Sequence, residues 1–120
     1  VLLKENHIAA AGGIKAAVEA AREAAPKLLR IEVEVERLEQ LAECLALAEV
    51  DGALLDNMEL STLAEAVQMR NRSGRTLFLE ASGNLTLDRA RPVAETGVDF
   101  LSVGALTHSA PAADLSLRLD

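Results

Sequence analysis

The segment 31–36 reads Ile-Glu-Val-Glu-Val-Glu, and this alternation restricts the folds open to the chain. A branched residue at every second position favours a strand. Ile31, Val33 and Val35 then share one face, and Glu32, Glu34 and Glu36 share the other. In an open sheet covered by helices on both sides, a central strand of this kind presses three carboxylates under a helix. Each unpartnered burial costs several kcal/mol, about 2–5. A barrel avoids that cost, because the apolar face meets the outer helices and the acidic face looks into a polar lumen. An open, doubly wound sheet is the alternative if this strand lies at an edge.

Five strand patterns, near 1–4, 31–36, 53–56, 77–81 and 99–103, alternate with helical ones. Helices are expected over 13–25, from Arg37 through Leu47, over 61–70 with Ser61 as N-cap, over 87–95 after a capping Thr86, and over 112–117. Pro92 should bend or shorten the fourth. The repeat of about 22–25 residues is the βα unit itself, which implies parallel strands and right-handed crossovers. The expected fold is therefore α/β, with five consecutive βα units in one 120-residue segment.

Composition removes several functions. The net charge of −7 disfavours nucleic acid and anionic membrane as partners. With no Trp or Tyr and two Phe, a base-stacking platform is not expected. No apolar run approaches the roughly 20 residues of a membrane span, and Lys4 and Glu5 interrupt the apolar start, unlike a signal peptide. The lone Cys44, on a helical pattern with Leu38, Leu41 and Leu45, reads as a buried thiol in a reducing cytoplasm. The chain opens at Val1 inside an apparent strand, which reads as an excised segment.

In parallel α/β folds, chemistry sits at the carboxyl ends of the strands. Here those ends offer Lys4, Glu34, Asp56 and Glu80, a Ser82-Gly83 turn, and Val103-Gly104-Ala105. Two carboxylates from neighbouring strands suit Mg²⁺, which keeps water and substrate phosphate as its other ligands. Lysine is a point charge for an anion. Glycine turns beside the start of a helix near Thr86 make a phosphate cradle, with His108 close to it. The residues describe a site for a phosphorylated anion with a divalent metal. His7 reads as a loop hydrogen-bonder, and no transition-metal spacing or Ser-His-acid set is present.

Five ordered motifs carry a resemblance across nearly the whole chain. They are Lys4-Glu5-Asn6-His7, Glu32-Val33-Glu34-Val35-Glu36 with Leu38-Glu39, Leu55-Asp56-Asn57-Met58, Leu79-Glu80-Ala81-Ser82-Gly83-Asn84, and the run from Gly97 to Thr107. Together they resemble the quinolinate phosphoribosyltransferases. The resemblance implies a partial, open α/β (TIM-like) barrel, with a flavodoxin-like sheet as the alternative. It also implies that an N-terminal sandwich domain and the first barrel strand lie outside these residues. They would take with them the Arg-, Lys- and His-rich substrate contacts and an arginine from the partner of a homodimer.

The implied reaction joins quinolinate to phosphoribosyl pyrophosphate (PRPP), releasing pyrophosphate and CO₂ and giving nicotinate mononucleotide for NAD synthesis. Lys4 then contacts the anionic substrates, and Glu34 and Asp56 stand at Mg²⁺ and the PRPP ribose and pyrophosphate. Ser82, Gly83, Asn84, Gly104, Ala105 and His108 hold the 5-phosphate. Some members carry Gly where this chain has Asn84. The isolated segment is expected to be inactive and, with its open edges, to self-associate.

Overall fold

The computed structural model describes residues 1–109 and 111–118. Five parallel strands form one sheet in chain order: β1 (Leu2–Leu3), β2 (Glu32–Val35), β3 (Gly52–Asp56), β4 (Phe78–Ser82) and β5 (Phe100–Leu101). Helices α1 (Glu5–Ala11) and α2 (Ile14–Ala24) follow β1, α3 (Leu38–Ala46) follows β2 and α4 (Leu60–Ser73) follows β3. After β4 comes α5 (Leu87–Glu95), and after β5 comes α6 (Ala105–His108).

Strand order decides the architecture. When successive parallel strands are also neighbours, each right-handed crossover steps the same way and all the helices fall on one face. A doubly wound sheet reverses its order and uses both faces. The order β1-β2-β3-β4-β5 is that of an unclosed barrel segment, and it overturns the flavodoxin-like alternative. β2 is interior, so its acidic face needs the lumen that a barrel provides.

Register follows the same logic. Val35, Leu55, Ala81 and Leu101 align across four strands on the helix-covered face. Glu34, Leu54, Glu80 and Phe100 align on the other. Ile31, Val33 and Val35 are fully buried, against Ile14, Ala17 and Val18 of α2, Leu41 and Cys44 of α3, and Leu63, Ala66 and Val67 of α4 in one core. Burial pushes the Cys44 thiol up to about 12, so it is an inert packing group. The lumen floor closes over Gly52: a methyl there would lie 2.1 Å from Phe78 Cζ. The Phe78 ring meets Phe100 edge-on, with centroids 5.6 Å apart.

Several elements differ from expectation. Residues 5–11 are helical rather than loop, ended by Gly12 at φ 89°. The sequence conceals α1 because it buries no residue and so has no apolar stripe. The N-cap of α4 is Glu59, not Ser61, and the helix runs to Ser73 before Gly74 ends it at φ 71°. Thr86 holds the N-cap position of α5, but its hydroxyl makes no capping bond. Pro92 lies inside α5. Residues 112–117 form no helix. Leu115 and Leu117 are 88% and 87% exposed, and so short a helix has no stability without packing.

Candidate active site

The lumen face brings the charged residues to one end of the sheet. Lys4 follows β1, Glu34 lies near the end of β2, Asp56 ends β3 and Ser82 ends β4. Asp56 pairs in register with Ser82, two residues beyond the Glu34–Leu54 pair and on the same face. Lys4 Nζ stands 3.6 Å from Glu34 Oε2, in an ion pair not foreseen for it. Burial pushes the Glu34 carboxyl above its usual range, Lys4 pulls it down, and Glu5 and Asp56 push it up again.

One cleft gathers all six residues expected around a phosphate. Ser82, Gly83, Asn84, Gly104, Ala105 and His108 line a cavity of about 520 Å³, with Ser102 and Thr86. The local reasons are steric. Gly83, at φ 89°, faces the Asn57 backbone, and a Cβ there would come within 2.7 Å of the Asn57 nitrogen. Gly104 lies under the His108 ring, where a Cβ would meet Nε2 at 2.9 Å. The first-turn amides of α5 adjoin this wall without a side-chain cap.

On the same face, Glu32 lies two residues before Glu34 on β2 and feels the Glu80 charge, and Ser102 Oγ donates to Glu80 Oε1. Burial and the Glu80 charge raise Glu32 from 4.5 to about 7. Glu32 Oε1 is the one buried side-chain oxygen without a partner among the described residues. Glu80 shares the lumen as expected, but Glu32 and Ser102 carried no functional signal in the sequence. His7 stands apart as a capping group, its Nδ1 accepting the Lys4 N–H at 3.0 Å.

Glu34 and Asp56 are the residues at these strand ends that could hold a cation. Among the described residues, no three His, Cys, Asp or Glu side chains are grouped to hold a metal. Two carboxylates suit Mg²⁺, which retains waters and uses substrate oxygens. The larger cavity, about 590 Å³, lies at the opposite ends of the strands. Its aspartates, Asp51 and Asp99, are already paired with Arg22 and Arg70.

A family model described as quinolinate phosphoribosyl transferase, C-terminal domain, matches residues 1–118. The nicotinate-nucleotide pyrophosphorylase (carboxylating) of Mycobacterium leprae is 48% identical over 118 residues, covering 98% of this chain and 41% of that protein. The Homo sapiens protein of the same name is 40% identical over 119 residues, covering 99% and 40%. The solved nicotinate-nucleotide pyrophosphorylase from Francisella tularensis matches with a TM-score of 0.80 at 42% identity, over 88% of this chain and 36% of that one. The chain thus spans about 40% of the length of the curated relatives it matches. With the motifs, the strand order and the match over residues 1–118 in agreement, the chain belongs to the quinolinate phosphoribosyl transferase C-terminal domain family.

Proposed function

We propose that this chain forms the phosphoribosyl-binding half of an enzyme that transfers phosphoribose from PRPP to quinolinate. Pyrophosphate and CO₂ leave, and nicotinate mononucleotide for NAD synthesis is the product. The observation that carries this reading is that Glu34 and Asp56 lie on one face of the sheet, at the same strand ends as the six-residue cleft. PRPP has matching parts: a pyrophosphate at the reacting carbon and a 5-phosphate at the far end.

In this scheme Ser82, Gly83, Asn84, Gly104, Ala105 and His108 bind the 5-phosphate. Anchoring that unreactive end orients the anomeric carbon. Glu34 and Asp56 hold Mg²⁺, whose chemistry when bound is to neutralise charge on the pyrophosphate leaving group. Their carboxylates also favour the positive charge that develops on the ribose as pyrophosphate departs. Lys4, now paired with Glu34, exchanges toward the anionic substrates when they enter. The ring nitrogen of quinolinate forms the new bond to the anomeric carbon as the bond to pyrophosphate breaks. The acidic surface and the lone buried thiol suit a cytoplasmic homodimer without nucleic-acid or membrane partners. No described helix is long and apolar enough to cross a membrane.

Chain length favours a second reading for the segment alone: a phosphate-binding module that turns over only when complemented. The same experiment tests both. Chain, quinolinate, PRPP and Mg²⁺ are mixed with and without the N-terminal portion of the M. leprae relative, and nicotinate mononucleotide is measured. Product is expected only in the complemented mixture. If that portion restores the relative's own C-terminal domain but not this chain, the transferase reading fails. Product formed with another aromatic acid in place of quinolinate would move the assignment to a related pyrophosphorylase.

A further inference from the structure

Two loops of the site are fastened together by a pair of asparagines. Asn57 follows Asp56 at the end of β3, and Asn84 stands in the cleft wall beyond β4. Asn84 Nδ2 donates to Asn57 Oδ1 at 3.0 Å. Below that bond, the Asn57 N–H donates to the Ser82 carbonyl at 2.9 Å. Gly83 completes the contact, because its missing side chain lets the Asn57 backbone approach. Both asparagines are left-handed, at φ 54° and 47°. Asparagine tolerates that region better than most residues because its short amide hydrogen-bonds locally.

Asn57 does not line the cleft. It touches the cradle only through Ser82, Gly83 and Asn84, while its peptide neighbour is Asp56. Resting on the function proposed above, we infer that Asn57 is a positioning residue. Through Asn84 it holds the acidic end of the site, at Asp56, in register with the 5-phosphate cradle. A ligand that spans both ends gains from that fixed spacing, whereas one that fills only the cradle does not.

The test uses Asn57→Gly and Asn84→Gly, singly and together. Glycine keeps the left-handed backbone and removes only the amide contact. Steady-state kinetics with PRPP are measured in the complemented mixture, and inorganic phosphate affinity is measured by calorimetry on the chain. Each single variant should lower kcat/KM for PRPP roughly three- to tenfold, the equivalent of one hydrogen bond. Part of that loss should fall on kcat, since a merely loosened cradle raises KM alone. The double variant should be no worse than Asn84→Gly alone, because the amide bond that Asn57→Gly removes is already lost there. Phosphate affinity of Asn57→Gly, whose residue lies outside the cleft, should stay within about twofold, which also shows that this variant folds. Defects that multiply in the double variant, phosphate affinity of Asn57→Gly that falls in step with its kinetics, or unchanged kinetics in Asn57→Gly would each overturn the positioning role. A wild-type mixture that makes no product removes the function reading and this inference with it. That result is distinct from a working enzyme indifferent to either asparagine.

Discussion

Carboxylates on the lumen face divide by depth, and each depth makes its own prediction. At the mouth, Glu34 is half-buried and paired with Lys4, and Asp56 ends the neighbouring strand on the same face. Glu34→Ala or Asp56→Ala in the complemented mixture should lower turnover by about 100-fold or more, as loss of a transition-state charge contact does. Near-wild-type rates in both variants would reject their roles. Earlier on β2, Glu32 is held up by burial and the Glu80 charge, and its titration has a thermodynamic signature. An unfolded glutamate gives up its proton near 4.5, whereas folded Glu32 keeps its proton to about 7. Between those values the folded state binds more protons, so stability falls as pH rises, and the penalty is complete above about 7. Glu32→Gln removes the titrating group but can still hydrogen-bond Glu80. At pH 8 it should melt a few degrees above the parent, roughly 3–8 °C, and the gap should close toward pH 4.5. A gap that stays constant across that range would show that Glu32 is not held protonated by the fold.

At the opposite ends of the strands, two elements are held by the same device used twice. Asp51, just before β3, accepts the Ile31 N–H at 2.8 Å and pairs with Arg22 of α2 at 3.3 Å. Asp99, just before β5, accepts the Leu79 N–H and pairs with Arg70 of α4, both at 2.8 Å. In each clamp the arginine lies 29 residues before the aspartate and the strand amide lies 20 before it, so the clamp recurs with a pair of βα units. Asp99→Ala should cost about 2–3 kcal/mol, because it leaves a strand amide unpartnered and takes the carboxylate from a largely buried guanidinium that keeps only the Leu77 carbonyl and the Asn71 amide oxygen. Asp51→Ala, with the longer ion pair, should cost less, while phosphate affinity is unchanged in both. Chemical denaturation ranks the two, and the reverse order would refute the clamp reading. This also shows where the sequence is legible. The alternation around Glu34 carries strand, face and lumen at once, because period two is a local property. The Ser82-Gly83 and Gly104 turns are legible for the same reason. The clamps, Ser102 and the Asn57–Asn84 bond are not, since each depends on partners 20 or more residues away. Residues 112–117 mislead in the other direction, because their leucines find nothing in the fold to pack against.

For the whole molecule, the distribution of uncovered apolar surface matters more than its amount. Among the described residues, five of the nine exposed large apolar side chains lie beyond residue 86: Leu87, Phe100, Leu106, Leu115 and Leu117. Leu87 and Leu106 flank an apolar groove between α5 and α6 that also contains Ala90 and Val103. The edge strands β1 and β5 span only two residues each, too short to template much strand pairing. Association should therefore proceed through side chains on this flank rather than through sheet edges. Sedimentation velocity across a concentration series should show reversible self-association of the chain. Leu87→Lys with Leu106→Lys should abolish it, whereas Leu28→Lys, at a residue 97% exposed near the other end of the strands, should not. The lysine pair also discriminates mechanism. It brings a net charge of −7 closer to zero, which weakens repulsion between copies. If general charge controlled association, the pair would strengthen it. Loss of association despite weaker repulsion identifies buried apolar area as the cause, and persistence of the oligomer would assign it to another surface.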